Sequence, residues 1–466
     1  MAQTFLYLLA FLALRFLFHY DESEPILFLI AITVLLTLLM SALVIPKSFI
    51  LHHVAIFLFC SPDITQDNLM VEEFGHLKAA SIWQLSVIGE PSVTWLLVLF
   101  GIYFWRLRFL RFNGIIVLAF MFFIALPLCT SMLYGYMGNL SNVVADLKFG
   151  IGLCLGLVFF NSPAIREQFQ DRSFQFLLLG GSFSVLVFDF FIMSNRLMAG
   201  LDYKFVNLSM DVAKVFTLFC CFYAIGRIRS SPFNLFWWVV VFVSVTLVFE
   251  YQTRWLLLCL VGGFFLLLRS AFWIAIVMGL ISVNIVYAVY DLGYEPVVLM
   301  LNRFNLGTGF DLSTIDGARF VALTNVVHLL NNSYAWIFGL GAGSYFTDFP
   351  VSLQGLTTAS YSVDSLAAGR YYRTHDFFSH SVFKFGLAGV LAYWVLVHKS
   401  LLSNIRSRRG VDPAAASICE ALVAMYPVVL TFLYYSTKGI ILAAFILAAH
   451  SSFATTSVGA WKRGNT

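Results

Sequence analysis

The chain has 466 residues, of which 60% are hydrophobic and only 11% are charged, and its mean hydropathy is +0.87. Soluble domains carry about 25% charged residues, so this composition excludes an ordinary water-soluble enzyme and predicts a polytopic membrane protein. The formal net charge of +4 is too small to indicate a nucleic-acid partner. Seven cysteines without a CxxC pair indicate neither a disulfide framework nor a zinc site.

Apolar runs follow one another along the chain and predict an all-α transmembrane bundle of about 12 to 14 spans. The runs lie at 3–19, 25–45, 48–60, 94–105, 114–134, 149–161, 174–194, 209–226, 233–250, 255–268, 271–290, 381–398, 414–433 and 439–456. The first run lacks a basic leading segment and a small-residue cleavage site. We therefore expect it to remain as a first anchor.

Short loops rich in arginine and lysine favour the cytoplasmic side of a membrane. An even number of runs separates the basic clusters that contain Arg106, Arg227 and Arg408. This parity predicts a cytoplasmic face for all three and an outer face for the 291–380 loop. Loops as long as this one, at about 90 residues, are uncommon without a function. We expect scaffold helices at 1–230, a catalytic region with short outer helices at 231–400, and C-terminal helices at 401–466.

Arg254 is the first polar residue that needs a special account. It precedes Arg269 by only 15 residues, or roughly 22 Å of helix, within a hydrocarbon layer of about 30 Å. Arg254 could snorkel to the lipid headgroups. Alternatively, since an arginine below the interface usually faces a polar cavity or an anion, it could bind phosphate.

Arg319 follows a turn signal at Asp316 and Gly317 and opens a predicted amphipathic helix. It is either a solvated loop arginine or a second phosphate ligand. The apolar stripe predicted for this helix consists of Phe320, Val321, Leu323, Val327 and Leu330. The following GLGAGS segment has no surrounding βαβ unit, so it is interpreted as a flexible turn that returns the chain to the membrane rather than as a dinucleotide site.

Two histidines lie in RYYRTHDFFSHSVFKFGLAG. His375 and His380 are five residues apart, which does not suit a metal pair on one helix face. Either could be a satisfied core histidine. Either could also be a general base, with Asp376 positioned to orient His380 across one turn.

The order of these features resembles the O-antigen ligase and polymerase superfamily, membrane glycosyltransferases that use glycans carried on undecaprenyl pyrophosphate. The family's Ser-Arg-like step at a helix start corresponds to Gln252, Thr253 and Arg254. Its arginine followed by a glycine-rich turn corresponds to Arg319 and GLGAGSY. Its His-Asn run ending in Gly-Leu-x-Gly corresponds to HDFFSHSVFKFGLAG, with Asp376 in place of the asparagine. The likeness covers about residues 230–400.

The resemblance implies a polymerase that joins lipid-linked repeat units of a bacterial surface polysaccharide at the outer face of the inner membrane. Arg254 and Arg319 would hold the donor pyrophosphate, since guanidinium groups bind phosphate oxygens bidentately, and His375 would activate the acceptor hydroxyl. One base without a carboxylate pair predicts inversion, with no metal or cofactor. Membrane lipids and a chain-length regulator protein are further implied partners. Second-rank substrate contacts are Arg196, Arg303, Arg370, Arg373 and His380.

Other functions remain open from the sequence. A ligase that transfers finished glycan to lipid A core shares the same chemistry and differs only in its acceptor. A transporter would place ionisable residues near mid-membrane, and Arg15 is the clearest such residue. A metal-dependent transferase would need a carboxylate motif, for which Asp21, Glu22 and Glu24 are the only candidates, and a solvated acidic turn is the favoured explanation of these residues.

Overall fold

The computed structural model describes residues 2–18, 25–60, 84–86, 92–107, 114–138, 140–199, 214–251, 254–268, 317–353, 363–374, 377–401, 413–431 and 437–463. At some of these positions, including Arg196, Arg254 and Arg319, only the backbone is described. Most of the described residues are helical, which confirms the predicted all-α class. They also form two short antiparallel ribbons.

The first half of the chain contributes eight described helices and one ribbon. The helices are α1 (Ala2–Phe18), α2 (Pro25–Ser41), α3 (Ile50–Cys60), α4 (Trp95–Leu107), α5 (Gly114–Leu133), α6 (Leu140–Phe160), α7 (Pro163–Gln170) and α8 (Arg172–Ala199). The ribbon pairs β1 (Gln84–Ser86) with β2 (Ser92–Thr94). A π-helical turn at Met121–Ala125 interrupts α5, and 3₁₀ turns at Lys47–Phe49 and Tyr136–Gly138 precede α3 and α6. Helices therefore occupy every predicted run in this half.

The second half contributes nine described helices and the other ribbon. The helices are α9 (Val215–Ser230), α10 (Leu235–Glu250), α11 (Arg254–Leu268), α12 (Gly317–Ser333), α13 (Val363–Ala368), α14 (Phe377–Leu401), α15 (Pro413–Ala424), α16 (Tyr426–Thr431) and α17 (Thr437–Arg463). The ribbon pairs β3 (Phe346–Thr347) with β4 (Arg370–Tyr371). Asn234 caps α10, where its side chain accepts a bond from the Phe236 N–H at 3.1 Å. The predicted run 271–290 lies outside the described residues.

Five described helices are long and apolar enough to cross a membrane: Gly114–Leu133, Leu140–Phe160, Arg172–Ser194, Phe378–Lys399 and Ala414–Thr431. Seven shorter described helices are also apolar. Large side chains on their surfaces are exposed, as at Ile26 (73%), Leu235 (74%) and Phe242 (72%). Such surfaces suit lipid rather than water. The chain is a helical membrane protein, and the number of spans and their orientation stay predictions.

The C-terminal helix α17 lies at the centre of the bundle. All residues from 440 to 449 are at most 2% exposed, so this helix is apolar and buried on every side. Small residues allow its close packing against α6, since a Cβ added to Gly156 would lie 2.8 Å from the Ala444 Cβ. The Phe445 ring lies 5.4 Å from that of Phe160 and 5.6 Å from that of Phe169. The C-terminal helix therefore shares one core with α6 and α7.

Polar contacts join three segments at one end of the bundle. Arg106 donates to the carbonyls of Ala42 at 2.6 Å and Ile45 at 2.5 Å. Gln168 donates to the Lys47 carbonyl at 2.8 Å, and its side-chain oxygen accepts from the Leu51 N–H at 2.9 Å. The 45–51 connection, the end of α4 and the helix α7 therefore meet there. Which face of a membrane this end occupies stays a prediction.

The long loop before α14 has a hydrophobic core of its own. The helix predicted after Arg319 is present as α12, but its buried face differs from the predicted stripe. Val321, Ala322, Val326 and Leu330 are buried, whereas Phe320 and Leu323 are 43% and 38% exposed. The reason is a polar anchor on the buried face, because Asn325 donates to the carbonyls of Thr347 at 3.1 Å and Val351 at 2.7 Å. This face packs against the β3 segment and α14.

Candidate functional site

A break in α14 creates the junction between the long loop and the helical bundle. Gly386 has φ 66° and ψ −178°, a conformation that interrupts the helix. The carbonyls of Phe383 and Lys384 consequently accept from the N–H groups of Leu340 at 2.9 Å and Gly341 at 3.1 Å. Beyond the break, Leu387 and Ala388 donate to the carbonyls of residues 336 and 337 at 2.9 and 3.0 Å. The loop segment 336–341 therefore completes the backbone bonding that the break removes from α14.

The glycine-rich turn GLGAGS is buried throughout, from residue 339 to residue 344. Gly339, Gly341 and Gly343 have φ values of 72°, 88° and 76°, in the left-handed region that favours glycine. A Cβ on Gly339 would lie 2.6 Å from the Lys384 carbonyl, and one on Gly341 would overlap the α5 backbone. The sequence predicted a flexible turn here. The segment is a turn, but packing and backbone hydrogen bonds fix it against α5, α6 and α14.

A buried ion pair between α6 and α14 supports this turn. The Nζ of Lys384 lies 2.6 Å from Oδ2 of Asp146, and the two side chains are 0% and 5% exposed. The same carboxylate oxygen accepts from the Gly343 N–H at 2.7 Å, and Nζ also donates to the Ser344 carbonyl at 2.6 Å. Because both charges bond the turn as well as each other, the turn belongs to the network that compensates their burial.

The ribbon of β3 and β4 has a core face and an outer face. Phe346 and Tyr371 are paired in register, are almost fully buried and have ring centroids 5.3 Å apart. Side chains alternate along a strand, so the neighbouring residues Tyr345 and Tyr372 lie on the opposite face, with ring centroids 5.7 Å apart. Burial and the nearby carboxylate of Asp348 raise the pKa of Tyr371 to about 12.

The structure describes the side chains of three predicted substrate-binding residues, and all three lie in the stretch 370–380. Arg370 is exposed, and its Cζ lies 5.0 Å from the centre of the Tyr345 ring. Arg373 is exposed and close enough to interact electrostatically with Lys384. His380 is 9% exposed, and its Nδ1 accepts a long bond of 3.4 Å from the Thr374 N–H. In a neutral His380 ring this acceptor role places the proton on Nε2.

The other predicted site residues lie wholly or partly outside the described residues. His375 and Arg303 lie outside the described residues, as do Asp21, Glu22 and Glu24. Arg254 is the first residue of α11, Arg319 is the third residue of α12, and Arg196 lies near the end of α8. The side chains of these arginines also lie outside the description. The convergence of Arg254, Arg319 and His375 in one cavity therefore stays a prediction.

Several residues of this junction were not identified from the sequence as functional. Asp146 and Lys384 each interrupt an apolar run, and a charge within a membrane helix is a signal for a partner on another helix. Tyr136, Tyr345 and Tyr372 form the aromatic surface beside Arg370. The sequence carries no signal that links the last two, because the pairing of β3 with β4 brings residues 345 and 372 together.

Arg15, the charge that pointed to a transporter, has a structural partner. Its Nη2 lies 3.6 Å from Oδ1 of Asp189 on α8, and both side chains are buried. Asp189 also accepts from the Tyr251 hydroxyl at 2.5 Å, and Thr217 lies 3.0 Å from that hydroxyl. This buried polar network joins α1, α8, α9 and the end of α10. It accounts for Arg15 as a charge compensated between helices.

Comparisons with known proteins add no identification. No known protein family matches the sequence, and no curated protein matches it. The functional argument therefore depends on the residues and geometry of this chain. Those residues are Arg370 in β4 and Arg373 and His380 after it, on a support made by the Asp146–Lys384 pair and the glycine-rich turn.

Proposed function

We propose that the chain is a membrane glycosyltransferase that polymerises oligosaccharide repeat units carried on undecaprenyl pyrophosphate. The donor binds at the outer face of the membrane, beside the junction of the long loop with α14. The single observation that carries the proposal is the grouping of Arg370, Arg373 and His380 within eleven residues of one another, at the start of an apolar helix. Cations grouped at a membrane helix end suit an anionic substrate.

The support for an anionic ligand comes from the local charge balance. Lys384 is compensated by Asp146, so the buried charges cancel. Arg373 interacts electrostatically with Lys384, and Arg370 and Arg373 add two exposed positive charges against the one carboxylate of Asp348 near Tyr371. A guanidinium binds two phosphate oxygens in a bidentate geometry, which a lysine cannot reproduce. The pyrophosphate of a lipid-linked donor fits such a surface, and its polyprenyl chain would extend along the exposed apolar helices.

The proposed reaction is a single displacement at the anomeric carbon of the donor. The acceptor hydroxyl oxygen forms the new C–O bond while its proton passes to the imidazole of His375. The bond to the pyrophosphate oxygen breaks and the leaving group takes the electron pair. Arg254 and Arg319 stabilise the charge that develops on the leaving group. A positioned base contributes about 10² to 10⁴ in rate.

The proposal is tested by analysing lipid-linked glycans in cells that carry the intact gene, no gene, or His375→Ala. The deletion should lose all polymer beyond one repeat unit, and His375→Ala should lower chain extension by about 10² or more because the base is absent. His328→Ala is the matched control. It removes a partly exposed histidine from α12 that bonds Asn332 at 2.8 Å. Wild-type polymer from His375→Ala would refute the proposed base.

The same experiment separates the polymerase from its nearest alternative, a ligase. A ligase deletion would accumulate full-length polymer on the carrier, whereas a polymerase deletion would accumulate single repeat units. The two reactions break the same donor bond and differ only in the acceptor. Unchanged lipid-linked glycans in the deletion would reject both.

A further inference from the structure

Three tyrosines and one arginine form a continuous surface on the outer face of the β3–β4 ribbon. The ring centroids of Tyr345 and Tyr136 are 5.5 Å apart at 82°, and those of Tyr345 and Tyr372 are 5.7 Å apart at 59°. The Arg370 guanidinium lies over the Tyr345 ring, with Cζ 5.0 Å from its centre. The tyrosines are partly exposed and the arginine is exposed. Tyr136 comes from the turn between α5 and α6, Tyr345 precedes β3, and Arg370 and Tyr372 lie at β4, so three separate segments build this surface.

We propose that this surface, which we name the tyrosine platform (Tyr136, Tyr345, Tyr372 and Arg370), binds a sugar ring of the growing glycan. The inference rests on the proposed function and deepens it by assigning the glycan subsite. A pyranose presents an apolar face of C–H groups and an edge of hydroxyls. The tyrosine rings offer apolar area to the face, while the phenol hydroxyls and the guanidinium offer hydrogen bonds to the edge.

The chemistry of the platform distinguishes a sugar from a lipid chain. The lipid-facing surfaces of this protein carry phenylalanine, leucine and isoleucine, as at Phe242 and Leu235. Every member of the platform instead ends in a polar group. The planes of the Tyr345 and Tyr372 rings are inclined by 59°, so the two rings do not stack face to face on each other. A ligand therefore meets rings and hydroxyls together, as an amphipathic sugar requires.

The support beneath the platform keeps it in one geometry. The ribbon's core face packs Phe346 and Tyr371 against Phe383 of α14. Burial and the adjacent Tyr345 and Tyr134 raise the pKa of Tyr136, so its hydroxyl remains a hydrogen-bond donor at neutral pH. A preorganised aromatic surface loses little conformational entropy on binding, because each tyrosine has only two rotatable side-chain bonds.

The position of the platform along the chain places it close to the proposed base. Tyr372 precedes His375 by three residues, and three residues of extended chain span about 11 Å at most. This span sets an upper limit on the separation of the Tyr372 Cα atom from the Cα atom of the proposed base. Arg370 would additionally favour sugars that carry a carboxylate.

The test measures binding directly, with full-length protein in detergent micelles. The probe is the oligosaccharide released by mild acid from the lipid-linked pool of the source strain, and binding is followed by saturation-transfer NMR. Tyr372→Ala and Arg370→Ala should each weaken binding by about tenfold, the equivalent of one stacking or charged contact. Tyr372→Phe should keep most of the affinity because the ring remains. Tyr334→Ala is the matched control, since that tyrosine is 91% exposed and outside the platform.

The outcomes separate the platform from the polymerase proposal. Wild-type binding by both Tyr372→Ala and Arg370→Ala would overturn the platform, as would an equal loss in Tyr334→Ala. If Tyr372→Ala fails to fold, Arg370→Ala still tests the platform, because Arg370 is exposed. If binding depends on the platform residues but deletion of the gene leaves the lipid-linked glycans unchanged, the polymerase proposal is refuted and the platform is not. Polymer assembly that requires His375 but is unaffected in all platform variants, with unaltered binding, would refute the platform alone.

Discussion

Removing one member of the Asp146–Lys384 pair tests whether the glycine-rich turn is held by buried charge. Lys384→Met keeps a long side chain but removes the ammonium group that bonds Asp146 and the Ser344 carbonyl, each at 2.6 Å. Asp146 would keep its bond from the Gly343 N–H and lose its countercharge. Asp146→Asn creates the opposite defect, because it leaves a buried ammonium without its carboxylate.

The expected magnitude follows from burial. The two side chains are 0% and 5% exposed, so solvent does not screen the loss. Breaking a buried pair by removing one partner costs about 3–5 kcal/mol. The double variant Lys384→Met with Asp146→Asn removes both charges and leaves an amide oxygen for Gly343. Its cost should therefore be smaller than the sum of the two single costs by about 1–3 kcal/mol.

The assay is the free energy of unfolding of the full-length protein in micelles, measured for the four members of the cycle. Glu420→Gln is the control, because it disrupts an ion pair of 3.3 Å with Arg229 whose side chains are 24% and 35% exposed. That surface change should cost less than about 1 kcal/mol. Additive single costs, or a Lys384→Met cost no larger than that of Glu420→Gln, would refute the argument that buried charge holds the turn.

Two further predictions concern the same junction. Gly386→Ala should destabilise the protein by about 1–3 kcal/mol, because φ 66° and ψ −178° are open essentially to glycine and the new Cβ would overlap the Ile337 carbonyl. Gly101→Ala on α4, with open space around it, should be neutral or stabilising by up to about 1 kcal/mol. Equal melting temperatures for the Gly386→Ala and Gly101→Ala variants would contradict this contrast. The pKa of Tyr371 is raised to about 12, so the folded state holds the phenol proton more tightly than the unfolded state does. The resulting contribution to the free energy of unfolding is present below about pH 10 and is lost as the pH rises towards 12. The melting temperature of Tyr371→Phe should therefore fall less steeply than that of wild type between about pH 10 and pH 12. Parallel curves of melting temperature against pH would disprove this expectation.

The sequence predicted the helices because apolar composition alone decides where a chain enters lipid. The predicted run 233–250 corresponds to α10 at Leu235–Glu250, and the run 255–268 to α11 at Arg254–Leu268. In both cases an uninterrupted apolar segment ends at a polar residue or a turn signal. Such boundaries depend on local chemistry and need no knowledge of partners.

The start of α6 shows where local composition fails. The predicted run began at residue 149 because Asp146 and Lys148 interrupt the apolar pattern. The helix itself begins at Leu140. The structure removes the conflict by pairing Asp146 with Lys384, which is 238 residues later in the chain. A contact over that separation has no periodic signal in the sequence. The charge can be recognised as needing a partner, but the partner cannot be identified.

The buried face of α12 was missed for the same reason. A count of apolar residues favoured Phe320 and Leu323, which are large and hydrophobic. The structure buries Asn325 instead, because that amide satisfies carbonyls of the β3 segment. The candidate site shows a similar division. The stretch 370–380 was identified from its arginines and histidines, while the tyrosines beside it became visible only when the ribbon brought residues 345 and 372 together.

The three glycines of the turn explain why a fixed site fits this protein better than a moving one. Gly339 approaches the backbone of α14, Gly341 that of α5, and Gly343 the Val143 side chain of α6. One short segment is thus held by three helices, and displacing it would break backbone bonds to α14 together with the Asp146 bond. A transporter needs its substrate-binding elements to change position relative to the bundle. The proposed transferase needs cations and a base preorganised around the developing charge, and a turn held in this way gives the neighbouring β3–β4 ribbon and α14 a fixed support.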